Sequence, residues 1–107
     1  ADFYREYIHA DDAGGALAAA VDAPSVARRV YNITGDNYQT LGETAELVRR
    51  VLPQADIDLA PGRDPGDDVQ LRFDISAARQ DLGYVPAVAL EDGIRSFGDV
   101  LRCRAAR

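Results

Sequence analysis

The sequence predicts a small α/β domain. Short alternating or β-branched runs, the mark of strands, are interleaved with longer runs whose apolar residues recur at helical spacing. Pro, Gly or a polar cluster punctuates the runs. The chain has 107 residues and is 47% hydrophobic, which suits one thin-cored globular domain rather than a disordered segment.

Residues 5–9, REYIH, read as a short strand in which Tyr7 and Ile8 supply bulk. Asp11 or Asp12 then caps a helix, because a carboxylate accepts the free N–H groups of a first turn. In AGGALAAAVDA, Ala13, Leu17, Ala20 and Val21 share one face, and Pro24 ends the element. Gly14 and Gly15 each weaken that helix by about 1 kcal/mol relative to Ala, which points to close packing on another backbone.

Residues 28–34, RRVYNIT, form the second strand candidate, and GDNYQ (35–39) is a turn. Thr40 and Glu43 have capping-box spacing and open a helix with the stripe Leu41, Ala45, Val48 and Leu52, stopped by Pro53. DIDLA (56–60) alternates like a third strand, and PGRDPGDD (61–68) is a loop. After a short extended piece at Arg72 and Phe73, Asp74 caps ISAARQDL, and Gly83 is the expected stop. YVPAVA is extended. Leu90 opens the last helix, with Ile94, Phe97, Val100 and Leu101 inward and a fraying tail from residue 102.

Composition excludes several classes of function. A net charge of −6 argues against a nucleic-acid binder resting on a basic face. Cys103 and His9 are the only residues of their types, so neither an internal disulfide nor a zinc cluster is expected. No apolar run approaches the length of a membrane span and no signal-peptide pattern opens the chain, so a cytoplasmic setting is expected. Met is absent throughout, as expected of a processed or partial chain. All 12 basic residues are Arg, which removes chemistry that depends on a lysine amine.

Taken in order, REYIHADDAGGALAAAV, RVYNITG, TLGETAELV, PGRDPGDD and DISAARQDLGYVPAVALEDGIRSF resemble the C-terminal, substrate-binding part of an extended short-chain dehydrogenase/reductase of the NAD-dependent epimerase/dehydratase family. The resemblance covers nearly the whole chain. It implies the substrate-binding portion of an extended NAD(P)-binding Rossmann-type fold, residues 1–107, with the Rossmann half missing. That family's Gly-rich dinucleotide turn and its Tyr-x-x-x-Lys are absent, since Gly14 and Gly15 fall inside a helix and the chain has no Lys. The resemblance therefore implies that NAD or NADP is bound by the missing N-terminal half and that this chain alone catalyses nothing. The implied partners are a small-molecule substrate such as a nucleotide sugar, the rest of the polypeptide and further copies in a homo-oligomer.

The same resemblance nominates site residues. It implies that Arg5 reaches the substrate diphosphate, a task suited to the parallel N–H donors of a guanidinium. Tyr7, two residues on, shares its face if the strand continues. Asn37 and Tyr38 lie in a turn that the family places near the nucleotide base, and of these Asn37 is carried as a contact. Arg63 and Asp67 are the candidates in the loop. The family usually has Arg-x-Gly-Asp there, whereas this chain has RDPGDD, with Asp64 in the Arg position counting back from Gly66. A carboxylate facing a diphosphate is repulsive, which favours a smaller substrate such as a sugar acid, aldehyde or ketone. His9 beside Asp11 and Asp12 suggests acid–base chemistry, but the resemblance makes them structural. Cys103 has no nearby His to activate it.

Three readings follow: part of a sugar epimerase or dehydratase, part of a dehydrogenase or reductase for a non-nucleotide substrate, or a non-catalytic binding module. The first two expect the apolar faces of helices 12–23 and 90–102 to pack on the missing half.

Overall fold

The structure, a computed structural model, describes residues 1–66 and 69–105. Its elements run β1 (Tyr4–Arg5), α1 (Ala10–Asp22), β2 (Gln39–Thr40), α2 (Leu41–Val51), α3 (Ser76–Leu82) and α4 (Leu90–Ala105). β1 and β2 pair antiparallel, with Tyr4 opposite Thr40 and Arg5 opposite Gln39. The result is a flat slab of 47 × 39 × 20 Å in which helices are the main regular structure among the described residues.

α1 begins earlier than a cap at Asp11 or Asp12 would place it. His9 is the N-cap: its backbone is extended and its Nδ1 accepts the Asp11 N–H at 3.0 Å. Asp12 lies inside the first turn, where a carboxylate suits the positive end of the helix dipole. It is buried, and its two oxygens accept the N–H groups of Ala87 and Val88 at 3.0 Å each. Asp12 thus clamps the extended segment before α4 onto α1. The expectation that it caps α1 fails because the carboxylate has long-range partners that a local pattern does not reveal.

The capping box of α2 is as its spacing predicts. Thr40 Oγ1 accepts the Glu43 N–H at 3.1 Å, and Glu43 Oε2 accepts the Thr40 N–H at 2.9 Å. The next N–H groups of α2, on Leu41 and Gly42, donate to Phe3 O and Ala1 O at 2.9 Å, so the segment around β1 completes the cap. At the far side α2 packs on α4, where Gly98 is buried: a Cβ there would meet Leu52 Cδ2 at 2.8 Å.

The predicted strands at 28–34 and 56–60 are irregular segments, not ladder members. Composition supplied β-propensity, but no neighbouring strand supplies hydrogen bonds among the described residues. The 28–34 segment is held instead by side chains. Tyr31 Oη donates to Asp81 Oδ2 at 3.0 Å, and Tyr84 Oη donates to the Thr34 carbonyl at 2.7 Å. Tyr31 and Ile33 pack on the small core of Ala16, Ile75, Ala78 and Tyr84. Asp74 Oδ1 accepts the Ser76 N–H at 2.9 Å, one turn-step outside the formal cap Ile75, and this bond holds its carboxyl below the usual carboxylate range. Gly83 closes α3 in the left-handed region, φ 66°.

Two apolar faces have no cover among the described residues. On α1, Leu17 and Val21 are 70% and 83% exposed, and a Cβ added to Gly14 or Gly15 would meet nothing within 4 Å. The glycines are therefore not close-packed against any described residue of this chain. On α4, Phe97 is 63% exposed, with Val100 and Leu101 also exposed rather than turned inward. The tail stays helical through Ala105 instead of fraying from residue 102.

Candidate functional site

The nominated residues cluster around β1 and the segment that crosses it. Arg5 Nη1 donates to the Tyr4 carbonyl at 2.7 Å, and its guanidinium lies over the Phe3 ring, 4.8 Å from the centroid. The first contact orients the guanidinium and the second places it on an aromatic face, which suits Arg better than Lys. Next to it Tyr4 stacks on Tyr38, centroids 4.5 Å apart.

Tyr7 falls beyond the two-residue strand. It borders a groove of ≈ 620 Å³ with Ile8, His9, Asn37, Ile94 and Phe97, and Arg5 is not part of that lining. The structure therefore does not bring Tyr7 and Arg5 into one pocket. Asn37 Oδ1 accepts the Tyr7 N–H at 2.7 Å, and its Nδ2 donates to Tyr7 O at 2.8 Å. In effect the side chain supplies the hydrogen bonds of a missing strand. Gly35 N–H also donates to Tyr7 O, at 3.0 Å. The turn between them places Asp36 at φ 56°, a left-handed conformation that Asp tolerates through local bonding, here from its own N–H to Thr34 Oγ1 at 3.1 Å.

The described stretches 62–66 and 69–73 are tied to this region by hydrogen bonds. Asp2 N–H donates to Gly62 O at 3.0 Å. Tyr38 Oη donates to Gln70 O at 2.6 Å, and Phe73 N–H donates to Glu6 Oε1 at 2.7 Å. Arg63, next to the first tie, is exposed and makes no hydrogen bond or ion pair among the described residues. Asp64 Oδ1 accepts the Gly66 N–H at 2.9 Å, an Asx-type turn that uses one carboxylate oxygen within the loop. Asp67 lies outside the described residues.

Sequence reasoning passed over two groups here. Glu6 is the anchor for Phe73. Arg72 and Arg79 converge on Asp36 at 2.6 and 3.1 Å, one on each oxygen. The hydrogen bond and charge of Asp36 hold the Arg72 guanidinium above its ordinary pKa. Strand alternation could have flagged Glu6, since it directly follows Arg5. The Asp36 cluster joins positions 36 and 43 residues apart and had no local signal.

The guanidinium donors of Arg5 and Arg63 are of the kind that suits an anion. No group of three or more His, Cys, Asp or Glu side chains fit to hold a metal ion occurs among the described residues. The residues present do not form a dinucleotide site either. The paired glycines lie in the middle of α1 rather than in a strand-to-helix turn, and the Lys that would hold a nicotinamide ribose does not occur in the sequence. No helix among the described residues is long and apolar enough to cross a membrane.

No family model matches the chain. The dTDP-glucose 4,6-dehydratase of Escherichia coli is 28% identical over 102 residues, covering 84% of this chain and 28% of that enzyme. Among solved structures, the Bordetella bronchiseptica enzyme WbmF in complex with NAD+ and UDP matches with a TM-score of 0.75 at 25% identity, over 96% of this chain and 31% of that one. Its complex with NADH also gives 0.75, at 23% identity, over 96% and 30%. These likenesses bear out the resemblance to the epimerase/dehydratase family and fit a partial domain, since the chain spans less than a third of either relative.

Proposed function

We propose that this chain is the substrate-binding C-terminal portion of a longer NAD(P)-dependent sugar epimerase or dehydratase, and that its substrate is a nucleotide sugar. In this reading Arg5 and Arg63 contact the diphosphate, and Tyr7, Asn37 and Asp67 belong to the surrounding wall. Asn37 acts there through the Tyr7 backbone that it holds. The Rossmann half supplies NAD or NADP, which carries the hydride, and the catalytic Tyr-x-x-x-Lys. The isolated chain is inactive, and the full-length protein is a cytoplasmic homo-oligomer.

The observation that carries the reading is the bond from the Asp2 N–H to Gly62 O, beside the strand that bears Arg5. Arg63 directly follows Gly62. One Asp64 carboxylate oxygen is turned back into the loop by the Gly66 N–H, although its charge remains. Relatives that bear a dTDP-sugar name or bind UDP support the same substrate class. Asp64 in the usual Arg position keeps a second reading open, in which the substrate is a sugar acid, aldehyde or ketone without a nucleotide. A non-catalytic binding module is the third.

Calorimetry on the full-length protein separates them. Micromolar binding of UDP or dTDP, weakened at least about tenfold by Arg5→Ala, supports the nucleotide reading, since one charged hydrogen-bonded contact accounts for that loss. No affinity for either nucleotide rejects it. An upstream coding sequence without a Gly-rich turn and Tyr-x-x-x-Lys would reject both enzymatic readings.

A further inference from the structure

In the turn against Tyr7 the left-handed residue is Asp36, not the glycine beside it. Gly35 has no positive φ, yet it admits no side chain. A Cβ there would overlap Tyr7 O and lie 2.7 Å from Asn37 Nδ2. A backbone oxygen cannot rotate aside, so the Tyr7 backbone or the turn would have to move. Gly35 is thus required by close approach of two backbones. Both backbone polar groups of Tyr7 are held in that space. Tyr7 O accepts the Gly35 N–H at 3.0 Å and Asn37 Nδ2 at 2.8 Å, and the Tyr7 N–H donates to Asn37 Oδ1 at 2.7 Å.

The turn is itself restrained by other parts of the chain. Arg72 donates to Asp36 Oδ1 at 2.6 Å, and Arg79 of α3 donates to Oδ2 at 3.1 Å. Buried Thr34 accepts the Tyr84 hydroxyl at its carbonyl. A left-handed non-glycine residue persists where its surroundings over-determine it, and two guanidiniums on one carboxylate do so here. What the turn grips is not a core residue. Tyr7 is 37% exposed and borders the ≈ 620 Å³ groove with Ile8, His9, Ile94 and Phe97. Gripping its backbone fixes where the ring stands more than how much of it is buried.

We infer that Gly35, Asp36, Arg72 and Arg79 are positioning residues for Tyr7: the turn grips the Tyr7 backbone, the two guanidiniums lock the turn through Asp36, and the ring is thereby set at the groove. For its ligand the inference rests on the reading above, in which Tyr7 belongs to the wall of the substrate site.

The test uses the full-length protein, with hydrogen exchange of the Tyr7 amide as a readout that needs no ligand and UDP as the binding probe. Gly35→Ala and Asp36→Ala are each expected to speed Tyr7 amide exchange about tenfold and to weaken UDP binding about fivefold. Asp36→Asn tolerates the left-handed conformation and keeps one acceptor oxygen, so it should return both most of the way. Asp36→Gly keeps the conformation without the guanidinium lock and should fall between Asp36→Asn and Asp36→Ala. A merely structural turn would weaken UDP binding equally with or without the Tyr7 side chain. Asp36→Ala should therefore cost UDP affinity in the parent and nothing further in a Tyr7→Ala background. Additive losses overturn the inference, as does UDP binding that Tyr7→Ala leaves unchanged. Unchanged Tyr7 exchange in a folded Gly35→Ala or Asp36→Ala protein overturns it whatever the parent binds. If Gly35→Ala does not fold, Asp36→Ala against Asp36→Asn carries the same comparison. A parent that binds neither UDP nor dTDP overturns the nucleotide reading instead, and Tyr7 exchange then decides the grip alone.

Discussion

Asp12 in α1 accepts the backbone N–H groups of Ala87 and Val88, 75 and 76 residues away, one on each carboxylate oxygen at 3.0 Å. This buried clamp joins the start of the chain to the entry of α4. Hydrogen bonds to a charged acceptor are among the stronger ones, and deletion leaves two N–H groups without a partner. Asp12→Ala is expected to lower stability by about 3 kcal/mol in denaturant titration of the full-length protein. Asp12→Asn, with one acceptor oxygen left, should lose roughly half as much.

Tyr84 gives a pH signature. Burial, followed by the negative charges of Asp12 and Asp36, raises its phenol above the ordinary value of 10.0. A group whose folded pKa is raised contributes stability that is fully present below its unfolded pKa and lost as pH rises through the folded one. Stability should therefore fall as pH climbs beyond the ordinary tyrosine range. Tyr84→Phe should remove that alkaline step from the melting profile. It should also cost about 1 kcal/mol at neutral pH through the lost bond to Thr34 O.

At the start of α2, Thr40→Ala should destabilise by about 1 kcal/mol. Thr40 and Glu43 bond reciprocally, so the Glu43→Ala penalty should shrink in the Thr40→Ala background. A double-mutant cycle read by thermal melting checks this, and strict additivity would contradict it.

The exposed stripe of α1 separates the isolated chain from the full-length protein. Gly14 has open space around its missing Cβ, so Gly14→Ala should stabilise the isolated chain by up to about 1 kcal/mol. If a Rossmann half covers α1 as proposed, the same change in the longer protein should be neutral or harmful. Leu17→Glu with Val21→Glu should reduce self-association of the isolated chain in analytical ultracentrifugation. A cooperatively melting monomer before any substitution would argue against an uncovered interface.

What the sequence disclosed was chiefly local. The Thr40–Glu43 capping box and the Gly83 stop act over three or four residues and were readable as spacing. RRVYNIT has strand composition yet joins no ladder, because pairing requires a partner that no local pattern contains. Asp12 looked like a cap because Asp before an alanine run normally is one; its partners are in a segment near the other end of the chain. Asn37 shows the same limit. Turn chemistry explained the residue type, but its role in bridging the Tyr7 backbone depends on where the chain folds back. Arg5 was nominated through the resemblance, whereas the contact of Glu6 beside it with Phe73 spans 67 residues and has no local signal.

A slab only 20 Å thick, with a Cα radius of gyration of 16.4 Å against about 13 Å for a compact chain of this length, has almost no interior. In deuterated solvent the slowest amides should accordingly be few. They should gather where α1 meets α3 near Ala16 and Ala78, and exchange should be quick along the solvent side of α4. Joined to a second half, the uncovered sides of α1 and α4 should become slow together, making exchange kinetics a map of the surface that the rest of the polypeptide covers.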